Sequence, residues 1–275
     1  MPILDAAGQS RAHAVTPLTI VTGSSGFIGG HFARRLPSVI PVEQEGCWEW
    51  LESFDRWGEV GLIIHQGAIS STIERDIGLI HRYNVAFTLA LFERAIEHGI
   101  PVQYASSASV YGNLQGVVSP LNFYAISKLQ IDYWVQDNMH RFSRIQGFRY
   151  FNVYGDGEDH KGDQSSPVSK FRRQIQERGY LSLFEGSDQF LRDFVLVDNV
   201  VDLVLDNPLP SGIYDLGTSQ PVSFAHVAQC VASRFGGTIR EVPFPDHLKG
   251  RYQDYTCARS SWGNYKFQTI EEYLS

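Results

Sequence analysis

The chain has 275 residues, 43% of them hydrophobic, and a formal net charge of -7. The length suffices to bury about three-quarters of the unfolded surface, the charge argues against a nucleic-acid partner, and the absence of a long apolar run argues against a membrane protein. Three unclustered cysteines, Cys47, Cys230 and Cys257, predict reduced thiols in a cytoplasmic protein, without a disulfide framework or a metal site.

The first element is a short apolar strand from Leu18 to Thr22, which follows a loose extension, residues 1–17, without the apolar core of a signal peptide. The strand runs into a glycine-rich turn and a helix that ends near Pro37. Glycines at this spacing let the backbone approach a pyrophosphate at the helix N-terminus, although a tight turn without a ligand is the alternative. The residues predicted to bind the cofactor here are Gly23, Ser25, Gly26, Phe27, Ile28 and Gly29.

A second strand, Val39 to Val42, leads to Glu43, about twenty residues beyond the first glycine, where a carboxylate would bind the adenosine ribose. No Lys or Arg lies between Arg35 and Arg56, which favours NAD over NADP, although Arg34 or Arg35 could reach a 2′-phosphate. The alternative for Glu43 is a solvated loop acid.

An aromatic run, residues 46–58, separates this strand from the next one, Val60 to His65. The run leaves little room for a further strand with its crossover helix, so we expect an abbreviated adenine side and tryptophans that pack rather than stack on a cofactor. A helix from about Glu74 to Glu97 and strands from Ile100 to Tyr104 and from Ile145 to Phe151 follow. This alternation predicts an α/β fold with a doubly wound parallel sheet.

A tyrosine and a lysine lie four residues apart in the helix predicted between these last two strands. Tyr124 and Lys128 would share one helix face, where the ammonium would lower the pKa of the phenol. Ser107, in the loop predicted after the strand that ends at Tyr104, could donate a hydrogen bond to the same substrate oxygen. The three groups could move a proton from an alcohol that loses a hydride.

Four motifs together resemble extended short-chain dehydrogenase/reductases of the nucleotide-sugar epimerase and dehydratase group. They are TGSSGFIG (22–29), HQGA (65–68), YASSASVYG (104–112) and YAISK (124–128). Four more resemble the ADP-L-glycero-D-manno-heptose 6-epimerase branch of that group: GEDHKG (157–162), LFEGS (183–187), RDF (192–194) and PFPDHLKGRYQ (243–253).

The resemblance implies a Rossmann-type domain, residues 18–153 plus about 190–216, and a smaller C-terminal α/β domain for the nucleotide-sugar, residues 154–189 plus 217–275. It implies bound NAD or NADP and inversion at C6 by oxidation and hydride return. In such a reaction Tyr124 and Lys161 would be the two acid/base groups, Ser107 would bind the reacting oxygen, and Lys128 would position the nicotinamide ribose. Without the resemblance, Lys161 would be interpreted as a solvated loop lysine.

Further positions carry over from the same resemblance. Cofactor-lining residues would be Gln66, Gly67, Ala68, Ser70, Asn84 and Val153, together with Tyr124, Lys128 and Lys161. Substrate-binding residues would be Ser107, Asn152, Lys170, Phe184, Glu185, Gly186, Ser187, Arg192 and Tyr252. Arg192 could bind a diphosphate bidentately or pair with Asp193. The chain departs from the pattern at Asp163, where Ser is usual, at Lys170, where His is usual, and in a short loop between Gly112 and Asn122.

Three other functions are alternatives to a heptose epimerase. Ala108 and Ser109 stand where a 4,6-dehydratase carries an Asp-Glu pair, which disfavours dehydration. A UDP-hexose 4-epimerase uses the same Tyr-Lys pair and is the enzymatic alternative. A dinucleotide-sensing or scaffold protein is the non-enzymatic alternative, and the retained Ser107, Tyr124 and Lys128 argue against it. By analogy with the group, we expect a homo-oligomer.

Overall fold

A computed structural model describes residues 16–113, 117–246, 252–259 and 262–275. The predicted N-terminal extension lies almost wholly outside the described residues. The strands are β1 (Leu18–Thr22), β2 (Val39–Val42), β3 (Val60–His65), β4 (Val102–Ser107), β5 (Ile145–Tyr150), β6 (Asn152–Tyr154), β7 (Tyr180–Phe184), β8 (Leu191–Arg192), β9 (Phe194–Leu196), β10 (Gly212–Leu216), β11 (Val222–Ser223) and β12 (Thr238–Val242).

The helices alternate with the strands along much of the chain. They are α1 (Phe27–Arg35), α2 (Cys47–Ser53), α3 (Ile77–Ile80), α4 (Phe87–Glu97), α5 (Phe123–Asn138), α6 (Pro167–Arg178), α7 (Val197–Asp206), α8 (Phe224–Phe235) and α9 (Ile270–Leu274). A π-helical segment, His81–Ala86, joins α3 to α4. Short 3₁₀ helices occupy Trp57–Glu59, Ala108–Tyr111, Met139–Arg141 and Asp159–Gln164.

Six strands form one sheet in the order β10-β5-β4-β3-β1-β2, with every neighbouring pair parallel. The predicted doubly wound sheet is therefore confirmed. In the common order of such folds another strand lies outside β2, whereas here β2 is the edge strand and only α2 connects it to β3. The abbreviated adenine side is confirmed, and Trp48, Trp50 and Trp57 pack against the core of this layer.

Three predicted boundaries are wrong. The fourth strand begins at Val102, after Pro101, which has no N–H to donate to a sheet, and it extends to Ser107, so this serine ends a strand and does not lie in a loop. The fifth strand ends at Tyr150. The helix predicted from Glu74 begins at Ile77, because the side chain of Asp76 accepts a hydrogen bond from the Leu79 N–H and caps it.

A second group of elements carries its own hydrophobic core. Strands β7 and β12 form a parallel pair, β8 and β11 form an antiparallel pair, and α6, α8 and α9 pack around them. The parallel pair β6 and β9 lies where this group meets the main sheet, because β6 follows β5 after one residue. Among the described residues, no helix combines the length and the apolar character that crossing a membrane requires.

Candidate functional site

A cavity of about 600 Å³ lies at the carboxyl ends of β1, β3, β4 and β5. From β1 the chain proceeds to β2 on one side and β3 on the other, so this is the switch point where parallel sheets bind ligands. The predicted site residues that line the cavity are Gly23, Gly26, Phe27, Ile28, Gly29, Gln66, Gly67, Ala68, Ser70, Ser107, Tyr124, Lys128, Asn152, Val153 and Lys161.

The glycine-rich turn packs closely against its own helix. A Cβ atom added at Gly29 would lie 2.1 Å from the carbonyl oxygen of Gly23, so no larger side chain fits while the turn keeps this shape. Gly26 is the N-cap of α1 and has no side chain to cover the first helical N–H groups. These groups face the end of the cavity and can donate to an anion.

Glu43 lies against this turn and lines a smaller adjoining cavity of about 190 Å³. Its carboxylate accepts hydrogen bonds from the Ser24 hydroxyl at 2.5 Å, the Ser25 N–H at 2.9 Å and the Ser25 hydroxyl at 2.7 Å. It is half-buried and fixed, unlike a solvated loop acid. Ser25, Gly67, Ala68 and Glu43 together could contact the adenosine end of a dinucleotide.

Asn84 is not among the residues that line either cavity, and its cofactor contact stays a prediction. It is 2% exposed and its amide is used within the protein: Oδ1 accepts from the Ile69 N–H at 2.8 Å, and Nδ2 donates to the Ile69 carbonyl at 3.0 Å and to Ser127 Oγ at 3.1 Å. Asn84 lies in the π-helical segment, whose wider turn places its side chain between the Ile69 loop and helix α5. These hydrogen bonds connect it to the site through the Ile69 loop and α5.

A buried histidine supports the same loop from behind. His65 contacts Thr22 Oγ1 at 2.7 Å through Nδ1 and Thr88 Oγ1 at 2.8 Å through Nε2, and Thr22 Oγ1 accepts from the Gly67 N–H. Burial lowers the pKa of His65 to about 3, so the ring is neutral near pH 7. This uncharged chain of hydrogen bonds holds the Gly67 backbone beside the glycine-rich turn.

The predicted catalytic residues Ser107, Tyr124 and Lys128 converge on one wall. Ser107 hydrogen-bonds Tyr124, and Lys128 Nζ donates to the Ala105 carbonyl at 2.7 Å. Burial raises the pKa of Tyr124, and the bond from Ser107 offsets this only in part. The expectation that Lys128 lowers this pKa is therefore wrong for the unliganded protein. Burial also lowers the pKa of Lys128, to about 8.

Lys161 reaches the same cavity from the Asp159–Gln164 segment, which is distant from α5 in the chain. Its side chain is 25% exposed, and Nζ lies 3.8 Å from Glu158 Oε2 and 5.0 Å from the centre of the Phe27 ring. Burial lowers the pKa of Lys161, and the Glu158 carboxylate opposes that shift. Lys161 is thus packed against the glycine-rich turn, and the interpretation as a solvated loop lysine is wrong.

Gln66 is a buried polar residue at the middle of the cavity wall. Both polar atoms of its amide are inaccessible to water and have no hydrogen-bond partner of normal geometry among the described residues. Tyr150, also on the wall, is a residue that sequence reasoning missed, and burial raises the pKa of its hydroxyl. The Gln66 amide acts on the neighbouring Tyr150 hydroxyl and partly offsets the effect of burial on its pKa. Its remaining polar capacity suits a ligand with polar atoms.

Arg192 forms a second site with an aromatic cluster. It is 5% exposed, and its guanidinium carbon lies 5.2 Å from the Tyr252 ring centre and 5.7 Å from that of Phe224. It has no ion pair among the described residues, and burial lowers its pKa. Asp193 is not its partner, because that carboxylate accepts from Thr218, Ser219 and Ala258. The carboxylate of Asp254 acts on the guanidinium without forming an ion pair, so this buried charge suits an anionic ligand.

The other predicted substrate residues lie beside this cluster or away from it. Phe184 packs on Phe244, which contacts Phe190 and Tyr252. No sequence pattern indicated Phe190, Phe224 or Phe244 as site residues. Ser187 is buried in the following turn, whereas Glu185 and Gly186 are exposed. Lys170, half-buried on α6, is not among the residues that line the 600 Å³ cavity, and its substrate contact stays a prediction.

One potential metal-binding group lies apart from both sites. The ligand atoms of His226, Cys230 and Glu271 are all within 4.8 Å of one another, so these side chains could hold a metal ion. In the structure His226 Nε2 lies 2.5 Å from Glu271 Oε1.

Comparisons with known proteins agree on one family. Residues 49–207 match the family described as "NAD dependent epimerase/dehydratase family". The chain is 38% identical over 283 residues to an ADP-L-glycero-D-manno-heptose-6-epimerase of Alkalilimnicola ehrlichii, with 88% of each chain covered. A solved ADP-L-glycero-D-manno-heptose-6-epimerase of Helicobacter pylori has 25% identity and a TM-score of 0.72, with 94% of each chain covered. UDP-glucose 4-epimerase of Thermotoga maritima has a TM-score of 0.80 at 20% identity, covering 94% of this chain and 96% of that one, and shares the fold.

Proposed function

Because the chain belongs to the NAD dependent epimerase/dehydratase family, we propose that it is a nucleotide-sugar epimerase that inverts C6 of an ADP-linked glycero-manno-heptose. The observation that carries the proposal is that Tyr124 and Lys161, from distant parts of the chain, line one cavity together with the glycine-rich turn. Inversion through a ketone needs a proton donor and acceptor for each orientation of the substrate oxygen. One cavity contains both groups.

The residues that line the two cavities are suited to bind NAD. The first turn of α1 would bind the pyrophosphate, Glu43 the adenosine ribose, and Gln66 a polar group nearer the middle of the cofactor. When bound, the nicotinamide supplies removal and return of hydride at the sugar carbon. NAD is favoured over NADP because the carboxylate of Glu43, beside the glycine-rich turn, would repel a 2′-phosphate.

Side chains of the protein itself would transfer the proton. Tyr124, whose pKa is raised by burial, starts with its proton in place, and Ser107 holds the phenol in the wall. Lys161, on a separate element, would give or take the proton when the substrate oxygen has the other orientation. Lys128 is anchored by the Ala105 carbonyl and would contact the nicotinamide ribose.

The substrate would bind across the two groups of elements. We assign residues 18–153 and about 190–216 to the cofactor domain, and residues 154–189 and 217–275 to the nucleotide-sugar domain. Arg192 would bind the diphosphate, and Tyr252 and Phe184 would offer aromatic faces to the base. Asn152, which lines the cavity and donates its N–H to the Asp193 carbonyl at 2.9 Å, connects the two sites. We further propose a homo-oligomer in the cytoplasm, by analogy with the group.

The decisive experiment is a panel of nucleotide-sugars incubated with the purified protein and NAD. Both C6 epimers of ADP-glycero-manno-heptose should reach the same equilibrium mixture, and UDP-glucose should remain unchanged. Epimerisation of UDP-hexoses without turnover of ADP-heptoses would support the 4-epimerase alternative. NAD binding without turnover of any sugar would support a dinucleotide-sensing or scaffold protein.

The second experiment tests the two acid/base groups. Run in deuterated water, the product should contain no deuterium at the inverted carbon, because the hydride never exchanges with solvent. Lys161→Met should impair inversion, with Lys266→Met, an exposed lysine that has no predicted role, as the matched control. Equal activity of Lys161→Met and the native protein would refute the assignment of Lys161.

A further inference from the structure

The segment that carries Lys161 is held by a carboxylate that none of the predicted roles uses. Glu158 is 0% exposed, although it lies three residues before Lys161 in a loop. A fully buried glutamate is rare unless it is paired and hydrogen-bonded. Its partners therefore indicate its role.

Glu158 joins the two ends of the loop. Oε1 accepts from the Gly155 N–H at 3.2 Å and from the Ser166 hydroxyl at 2.6 Å, and Oε2 accepts from the Ser166 N–H at 2.5 Å. Gly155 directly follows β6, and Ser166 is the N-cap of α6. The backbone N–H of Lys161 also donates to the Glu158 carbonyl at 2.9 Å. The loop is thus closed around this one side chain.

The same carboxylate is the charge that acts on Lys161. Its Oε2 atom lies 3.8 Å from Nζ in a largely buried pair, where the attraction is stronger than at the surface. The other groups around Lys161 do not replace it: α1 contributes the uncharged ring of Phe27, His160 is exposed, and Arg173 of α6 donates to the Gly162 carbonyl at 3.3 Å.

Lys161 needs such a partner because its own side chain is flexible. A lysine side chain has a flexible stem of four carbons. The next residue, Gly162, has φ 52°, a conformation that other residues rarely adopt, and glycine restrains the backbone least. Proton transfer requires the reacting groups at hydrogen-bond distance, so a freely moving ammonium would seldom be in place.

From these contacts we propose that Glu158 is a positioning residue for Lys161, which fixes both the loop and the ammonium at the cavity wall. The inference rests on the proposed function, because it assumes that Lys161 transfers a proton. Glu158 itself is shielded from the substrate. Its effect on the reaction is exerted through Lys161.

The test follows Lys161 directly and does not depend on turnover. The chain has five lysines, so protein labelled with ¹³Cε-lysine gives few resonances, and the Lys161 signal is the one missing from Lys161→Met. We expect Lys161 to titrate at lower pH in Glu158→Gln, because burial then lowers its pKa without opposition. Ser166→Ala is the matched control: it removes a hydrogen bond to Glu158 but keeps the charge, and the titration should stay in place.

Kinetics provide the second readout. Glu158→Gln should lower kcat by about 10-fold or more and change KM little, since the substrate contacts are kept. The loss in Glu158→Gln/Lys161→Met should equal that in Lys161→Met alone, because both changes act on one group. Glu158→Asp keeps the charge and should therefore have a higher kcat than Glu158→Gln. It is the variant to measure if Glu158→Gln does not fold.

The outcomes separate this inference from the proposed function. An active native protein whose Lys161 titration is unmoved in Glu158→Gln, with additive losses in the double variant, would make Glu158 merely structural and overturn the inference. A native protein without epimerase activity, whose Lys161 titration nevertheless moves, would refute the proposed function and with it the positioning role, leaving only the electrostatic coupling.

Discussion

The ammonium of Lys128 lies 5.9 Å from the centre of the Tyr124 ring, and its hydrogen bond goes to the Ala105 carbonyl. Spacing by four residues placed both side chains on one helix face, as the sequence predicts. Burial nevertheless determines their pKa values: it raises that of Tyr124 and lowers that of Lys128 to about 8. In the unliganded site the phenol therefore keeps its proton near neutral pH.

Tyr124→Phe should lower kcat by about 10²–10⁴-fold, the usual contribution of a positioned acid/base group. The change removes one hydroxyl whose partner is Ser107, so the fold and NAD binding should survive. Initial rates with ADP-heptose would measure the loss, and NAD titration would provide the control. Retention of more than about a tenth of the native kcat would exclude Tyr124 as an essential acid/base group.

Lys128 should make stability depend on pH. Its pKa is lowered from 10.5 to about 8, so between these values the unfolded chain binds more protons than the folded chain. The free energy of unfolding of the native protein, relative to Lys128→Met, should therefore rise with pH in this window, by at most about 1.4 kcal/mol per pH unit. Urea unfolding of both proteins between pH 7.5 and 10 checks this; a constant difference would contradict the burial effect.

Arg192→Met should separate binding from stability. Loss of the guanidinium should weaken ADP binding by about 10–100-fold, the usual cost of losing charged hydrogen bonds. Stability should stay the same or rise, because the change removes a buried charge that has no carboxylate partner among the described residues. Calorimetric titration with ADP and thermal unfolding measure the two effects. Arg240→Met, an exposed arginine 3.6 Å from the Tyr180 ring centre, is the control and should bind ADP normally.

Gly29→Ala should abolish detectable NAD binding or unfold the protein. The new Cβ would lie 2.1 Å from the Gly23 carbonyl oxygen, so the turn must open. Gly58→Ala is the matched control, because no atom lies within 4 Å of a Cβ added there. Fluorescence titration with NAD and thermal unfolding of both variants provide the measurement. Native affinity in Gly29→Ala would show that the turn does not need its present shape.

The periodicity of hydrophobic residues and the glycine-rich turn were sufficient to predict the parallel sheet, because both features are local in the sequence. The roles of Asn84 and Glu158 were not predictable in this way. Asn84 was expected to contact the cofactor, yet the π-helical segment turns its amide toward Ile69 and Ser127. From the sequence alone, Glu158 would be interpreted as an exposed loop carboxylate. Its burial depends on hydrogen bonds from Gly155 and Ser166, which only the folded chain brings together. The Asn84 contacts are long-range and those of Glu158 span eight residues or fewer, but neither set follows from hydrophobic periodicity.

The amide of Asn84 ties the Ile69 segment, on the adenosine side, to the helix that bears Tyr124. Since Ser127 Oγ in turn donates to the Tyr124 carbonyl at 2.7 Å, three consecutive hydrogen-bonded contacts span the floor of the cleft. A ligand that presses on one end must strain this chain of contacts before it reaches the other. Binding of the adenosine part of a ligand should therefore change the hydrogen exchange of the backbone amides in the first turn of α5. This change should occur even when no sugar is bound.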